Sequence, residues 1–170
     1  MKPSFHDQFV EIFNANFHRL YRYLDRLSGE PELAADIAQD TFVRLYQRGC
    51  APEAPEAWLI TVATNLFRNA RSQHARRVRL MTAARGAGVL SDPPPSPAEE
   101  MDAAESRRCV RNAIDRLPER ERRMLLLRAE GYSYRDIAIA LDINEASVGT
   151  LLARAKRAFS DIYEDASDAP

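Results

Sequence analysis

Between Gly86 and Pro97 the chain crowds together Gly86, Gly88, Pro93, Pro94, Pro95 and Pro97. Proline fixes φ and removes a backbone donor, so neither a helix nor a central strand runs through this stretch. Whatever the chain folds into is therefore assembled from the parts on either side. On both sides apolar residues recur at helical spacing, and the strand signal is nearly absent. A length of 170 residues suits two small domains. The sequence thus predicts an all-α protein: two small helical domains, 5–85 and 104–163, joined by a flexible, partly extended linker at 86–103. No internal repeat is evident.

In the N-terminal part, Phe9, Ile12, Phe13, Leu20, Leu24 and Leu27 trace one apolar face that Ser28-Gly29 ends. Pro31 opens a second helix with Ala34, Ile37, Ala38, Thr41 and Leu45 inward, stopping near Gly49. A loop over Cys50 to Pro55 follows. A third helix starts near Glu56 and carries Trp58, Leu59, Val62, Ala63 and Leu66. Beyond the linker, Val110, Ile114 and Leu117 restore the helical period, and Pro118 suits the first turn of a helix that Gly131 closes.

The stretch after Gly131 carries the most chemistry. Ser133 stands three residues before Asp136, the spacing of a capping box. Ile137, Ala138 and Leu141 give a short helix, Asp142-Ile143-Asn144 a turn, and Asn144 a cap for the next helix. There Val148, Leu151, Leu152, Ala155 and Phe159 form an apolar stripe, with Ser147, Thr150, Arg154 and Arg157 largely on the other side. This is the pattern of a DNA-reading helix-turn-helix. Small residues admit the helix to the major groove, polar tips reach base edges, and arginines hold phosphates. The plainer reading is a helical hairpin with a solvated basic face.

Charge placement bears on that choice. The net charge is −1, which does not suit a general polyanion binder. Yet Asn65 to Arg85 holds six arginines and no acid, whereas Ser91 to Glu105 holds five acids and no base. A basic segment within a neutral chain points to a localised nucleic-acid footprint, against the alternative of a solvated helix end. Cys50 and Cys109 lie far apart, and His6, His18 and His74 are scattered, so no metal-ligand spacing is present. No metal or cofactor is expected, and the cysteines are expected to be reduced thiols. No apolar run approaches the roughly 20 residues of a membrane span, and the N-terminus lacks a secretory core. The expectation is a cytoplasmic protein without membrane insertion.

Three blocks together resemble bacterial extracytoplasmic-function sigma factors, the smallest of the sigma-70 type. They are GEPELAADIAQDTFVRLYQ (Gly29 to Gln47), AWLITVATNLFRNARSQHARR (Ala57 to Arg77) and LPERERRMLLLRAEGYSYRDIAIALDINEASVGTLLARAKRAF (Leu117 to Phe159). The helix-turn-helix alone is moderately specific; the three blocks at these spacings are strongly so. The resemblance implies sigma region 2 and sigma region 4 on either side of the linker. It implies a sigma factor that binds core RNA polymerase and directs promoter-specific initiation, with no catalysis of its own. Partners implied are core polymerase, promoter DNA and an anti-sigma factor, with the chain a monomer when free.

The resemblance also assigns sites. The first block looks like the core-docking surface, with Asp36, Gln39, Asp40 and Phe42 at matching positions. The three polar residues lie at i, i+3 and i+4 and so share a face. A solvated acidic face is the plainer alternative. The second block resembles the part that opens the promoter at the −10 element. Asn65 matches the position that helps read a flipped base, and an amide both donates and accepts. Arg68, Arg71, Arg76 and Arg77 would form the track for the single strand. Trp58 is read as core before stacking platform. The −10 specificity loop would be Gly49 to Pro55. The third block would read the −35 duplex through Ser147, Thr150 and Arg154, with Lys156 and Arg157 on phosphates. Here the chain departs from the commoner pattern: between Val148 and Arg154, where many members carry basic residues, it has Gly149, Thr150, Leu151, Leu152 and Ala153. Linker acids Asp92, Glu99, Glu100 and Asp102 would mimic nucleic-acid phosphates in the polymerase's RNA exit path.

Readings from other classes remain. A helix-turn-helix regulator would dimerise on half-sites without being a polymerase subunit; the N-terminal half, which resembles neither a receiver nor a ligand-binding module, speaks against it. An enzyme would need a nucleophile–base pair, a phosphate loop or metal spacing, and none stands out. An adaptor that binds an anti-sigma factor without initiating transcription would use the same surfaces.

Overall fold

The computed structural model describes residues 4–84 and 98–167, with side chains for 4–81 and 104–165. The described residues form seven helices and no strand: α1 Phe5–Ser28, α2 Pro31–Arg48, α3 Pro55–Ala84, α4 Ala98–Arg116, α5 Glu119–Ala129, α6 Tyr134–Leu141 and α7 Glu145–Ser167. The proline-rich residues 86–97, with Asp92, lie outside the described residues, as do the side chains of Glu99, Glu100 and Asp102. α4 begins at Ala98, so the last residues assigned to the linker by sequence are helical. Pro97 is the last proline of the cluster, and Ala98, Glu99 and Glu100 are strong helix formers.

Local signals fix most helix ends. Ser4 accepts from the Asp7 N–H while Asp7 accepts from the Ser4 N–H, closing a capping box on α1. The hydrogen bond from Ser4 holds the Asp7 carboxyl below its ordinary pKa. α1 ends at Gly29, whose φ of 73° suits a residue without Cβ. That turn sends α2 back along α1, and Gly49 ends α2 in the same left-handed way. Gly131 follows α5 at φ 83°, and the Tyr132 N–H reaches back to the Leu127 carbonyl.

α1, α2 and α3 form one unit around Leu20, Leu24, Ala34, Ala38, Leu45 and Ile60, all fully buried. α4 to α7 form a second around Ala113, Leu127, Ile137, Val148 and Ala155. The two units touch: α1 packs on α5 and α3 on α6, and one apolar core runs through both.

The seam between them is crossed chiefly by arginines. Glu130, at the end of α5, is only 3% exposed at its side chain and lies 2.8 Å from Arg22 Nε and 2.7 Å from Arg26 Nη1, both on α1. The Arg22 contact is a hydrogen bond, whereas Arg26 approaches Oε1 without hydrogen-bond alignment, so that contact is purely coulombic. Arg19 stacks its guanidinium 4.2 Å over the Tyr132 ring. Arg111 of α4 donates to the Arg26 carbonyl in the last turn of α1, where helix carbonyls lack partners. Burial raises the Tyr132 phenol well above its ordinary pKa and keeps it neutral.

Candidate nucleic-acid and partner-binding faces

The helix-turn-helix is built as its residues foretell. Ser133 and Asp136 close the capping box on α6, Ser133 Oγ lying 2.6 Å from the Asp136 carboxylate. Asn144 Oδ1 accepts from the Ala146 N–H at 2.9 Å and so caps α7. The turn closes with Asp142 in the left-handed region at φ 53°, while the Ile143 N–H bonds the Ala138 carbonyl at 2.9 Å. Aspartate tolerates this conformation better than a branched residue, though less well than glycine.

Val148, Leu152 and Ala155 of α7 are buried, and Ser147, Thr150, Arg154 and Arg157 are exposed. At about 100° per residue those four exposed residues fall within about 80° of one another. Lys156 is exposed but turns about 100° away from Arg157 and so leaves this face. The five residues named from sequence are thus four on one exposed strip and one on its flank. Gly149 sits against Tyr134, whose ring is 3.6 Å from where a Cβ would stand. Tyr134, Asn144, Glu145, Ala146 and Gly149 line a shallow pocket at this end of α7.

On α3, Asn65, Arg68, Arg71, Arg76 and Arg77 are all exposed. They do not make a single track. Asn65, Arg68 and Arg76 share one side of the helix, with Ser72 and Arg79 between or beside them. Arg71 and Arg77 turn to a cavity of about 980 Å³ between the units, whose lining includes Phe67, His74, Arg111 and Arg122. Arg68 is engaged from across the seam: its Nη2 is 2.7 Å from the Glu119 carboxylate of α5. The hydrogen bond from Arg68 lowers the Glu119 pKa despite some desolvation. One residue before Asn65, the buried Thr64 hydroxyl lies 3.3 Å from Arg123 Nη2, again from α5. Trp58 is half-buried against the core with the Arg48 guanidinium 5.8 Å from its ring centre, in keeping with a core reading.

On α2, Asp36, Gln39 and Asp40 are exposed on one face. Phe42 is not; it is 3% exposed and lies in an aromatic cluster, 5.0 Å from the Phe13 ring and 6.5 Å from the Phe9 ring. The residue named for surface docking is therefore a support beneath the surface. Sequence reasoning missed the apolar part of this face. Val43 is 51% and Tyr46 57% exposed on α2, and the Tyr46 ring lies 5.3 Å from that of Phe9 on α1. The signal was available: Val43 and Gln47 continue the Gln39–Asp40 face by one and two turns.

Cys50 is exposed and Cys109 half-buried, both free thiols. Among the described residues no cluster of three or more His, Cys, Asp or Glu could hold a metal, and no helix is long and apolar enough to cross a membrane.

Comparison with known proteins gives two family matches. The model for sigma-70 region 2 matches residues 12–77, and that for sigma-70 region 4 matches residues 107–159. Among curated proteins, the chain is 32% identical over 145 residues to the ECF RNA polymerase sigma factor SigL of Mycobacterium tuberculosis, covering 82% of this chain and 79% of that one. It is 27% identical over 154 residues to the ECF RNA polymerase sigma factor SigE of Mycolicibacterium smegmatis, covering 89% of this chain and 60% of the other. It is 34% identical over 126 residues to the probable RNA polymerase sigma factor RfaY of Xanthomonas campestris, covering 71% of this chain but only 32% of that protein. The chain therefore spans less than two thirds of the last two relatives. Among solved structures, the sigma factor RpoE of Bartonella quintana, in complex with the anti-sigma factor NepR, aligns with a TM-score of 0.65. That alignment covers 93% of this chain and 98% of the other at 19% identity, a likeness of fold.

Proposed function

The chain belongs to the extracytoplasmic-function group of sigma-70 RNA polymerase sigma factors, and from that premise we propose that it binds core polymerase and directs promoter-specific initiation. What supports this reading is the joint presence of two exposed polar and basic strips on separate units, Asn65 with Arg68 on α3 and Ser147, Thr150 and Arg154 on α7. A helix-turn-helix regulator needs only the second. The unit of α1 to α3 would dock on polymerase through Asp36, Gln39 and Asp40, whose carboxylates and amide suit arginines on a partner helix. Val43 and Tyr46 beside them would add apolar area, and Phe42 would hold the surface rigid from below.

At the −10 element, the Asn65 amide would read an unstacked base while Arg68 and Arg76 hold the strand's phosphates. At the −35 element, Ser147, Thr150 and Arg154 would reach base edges, with Arg157 on the backbone and Lys156 contacting phosphate only at the rim. The chemistry of RNA synthesis belongs to polymerase, and the chain would act with it in the cytoplasm as a monomer needing no cofactor. Linker acids Asp92, Glu99, Glu100 and Asp102 would run through the RNA exit path. The fold neighbour's complex with an anti-sigma factor supports a comparable inhibitor here.

Run-off transcription with purified core polymerase on a pool of genomic promoters tests the reading, with defined transcripts expected only when the chain is added. Asp40→Arg should abolish co-purification with core while leaving helicity intact, since like charges facing across an interface cost several kcal/mol. Recovery of core at the wild-type level would remove this face from the mechanism.

A further inference from the structure

Two arginines of α3 have no part in the faces assigned so far. Arg71 and Arg77 are exposed, and each lies about 120° round the helix from Asn65. Among the described residues no carboxylate is within ion-pair distance of either. Both line the cavity of about 980 Å³, within the range of roughly 300–1,000 Å³ typical of small-molecule sites. To the same cavity α4 brings Arg111 and α5 brings Arg122, so four guanidiniums line one cleft.

Only two carboxylates stand against them, those of Glu30 and Asp115. Asp115 serves two of the arginines, lying 3.0 Å from Arg111 Nε and 3.5 Å from Arg122 Nη1. Glu30 pairs with none of them. The Arg122 side chain is 12% exposed, and its Nε is buried without a hydrogen-bond partner. A buried donor that has given up water and found no acceptor is destabilising until a ligand supplies one. The rest of the lining is of another kind. Leu27 and Phe67 are 2% and 5% exposed, and Leu33 packs on the same core.

An apolar floor among arginines selects a ligand with two parts. One part is flat and apolar enough to lie on carbon. The other carries several negative charges, and phosphate oxygens match guanidinium forks bidentately. We propose that this cleft binds a nucleoside di- or triphosphate, its phosphates on Arg71, Arg77 and Arg122 and its base on Leu27, Leu33 and Phe67. Arg111 stays outside the direct set, because Asp115 and the Arg26 carbonyl already engage it. Asp115 orients Arg122 and is a positioning residue. His74 donates to a phosphate oxygen, and the Glu30 carboxylate accepts from a sugar hydroxyl or a ring amino group. The cleft stands apart from the faces proposed for polymerase and promoter: a strand held by Asn65, Arg68 and Arg76 follows another side of α3 and leaves it free.

Isothermal titration of the full chain at physiological salt tests this with ATP, GTP, inorganic triphosphate and a single-stranded oligonucleotide. One saturable site is expected for ATP or GTP, about tenfold or more tighter than for inorganic triphosphate, because only a nucleotide uses the apolar floor. Arg71→Gln with Arg77→Gln should weaken nucleotide binding by about tenfold or more at unchanged helicity, since two charge-assisted contacts are lost. Arg44→Gln with Arg120→Gln removes the same charge from exposed positions outside the cleft and should leave the affinity as it was. A photoreactive azido-nucleotide should label peptides 27–33 or 67–77, a readout that needs no variant. No saturable binding, labelling elsewhere, or an equal loss in both arginine pairs overturns the proposal. Inorganic triphosphate binding as tightly as the nucleotides also overturns it, leaving a plain anion site. Full displacement of nucleotide by the oligonucleotide does the same, returning Arg71 and Arg77 to a nucleic-acid track.

Discussion

α3 and α7 are the two helices proposed to offer polar side chains to nucleic acid, and their exposed strips differ in what they meet. On α7 Ser147, Thr150, Arg154 and Arg157 are exposed, and among the described residues neither arginine lies within ion-pair distance of a carboxylate. On α3 the chain itself engages Arg68 through Glu119, and beneath the surface Arg123 meets the buried Thr64 hydroxyl. The difference lies in what builds each face. α7 is set by caps and a stripe within one helix-turn-helix. α3 is 30 residues long, and its turns at Thr64 and Arg68 lie against α5. The exposed strip of α7 is thus presented by local structure, whereas that of α3 is shaped by tertiary contacts.

The hardest blow to this contrast is Ile137→Ala. Ile137 is fully buried in α6, in the cluster it shares with Val148 and Leu152 of α7. Truncation should cost about 2–5 kcal/mol and disorder the helix-turn-helix. Chemical denaturation should show the C-terminal unit melting first and −35 duplex binding lost. If −35 binding survives at full strength, α7 does not depend on α6 for its presentation.

A smaller effect separates base reading from phosphate holding on α7. Arg154→Ala should cost about 1–3 kcal/mol of discrimination at −35, seen as a flattened preference across a randomised −35 library. Arg157→Ala should weaken all sequences alike and reduce the slope of affinity against salt. Identical behaviour of the two would mean that α7 holds only the backbone. On α3, Asn65→Ala should keep core binding yet lose about tenfold in selectivity at one −10 position. An unchanged profile over a −10 substitution series would remove the amide from readout.

The gentlest lever is acid. The Glu119 carboxyl titrates below its ordinary value of 4.5, chiefly through the hydrogen bond from Arg68. A group whose pKa is depressed by a contact contributes its stabilisation above the ordinary value and loses it as pH falls through the depressed one. The seam should therefore loosen only below about pH 4.5, seen in small-angle scattering as a rise in the radius of gyration. Glu119→Gln should remove this particular step; its persistence would assign the transition to other carboxylates. The effect is small because Glu119 is half-exposed.

Much of the molecule was legible in its residues. Ser28-Gly29, Pro31, Gly49, Pro118, Gly131, the Ser133–Asp136 pair and Asn144 each act within four residues of themselves, so helix ends followed from spacing. The exposed strip on α7 followed from a 3.6-residue period, and so did the acidic face of α2. Three assignments needed more. Phe42 was placed on the docking surface, but the rings of Phe9 and Phe13, which bury it, come from another helix. Arg71 and Arg77 were counted with Arg68 as one basic track, although a helix turns successive arginines to different sides. Lys156 was grouped with Arg157 by adjacency, which on a helix separates residues by about 100°.

By itself, then, the sequence determined the helices, their caps, the break at the prolines and the family. Each of these depends on contacts among near neighbours or on composition, which order along the chain records directly. Only the tertiary structure decided that Glu130 would sit between Arg22 and Arg26, and that Glu119 would take Arg68. Those partners are 108, 104 and 51 residues apart. An arginine and a glutamate so far apart carry no spacing signal, because many acids could serve each base equally well. The choice is made by how two apolar cores meet, and charge pairing follows the packing.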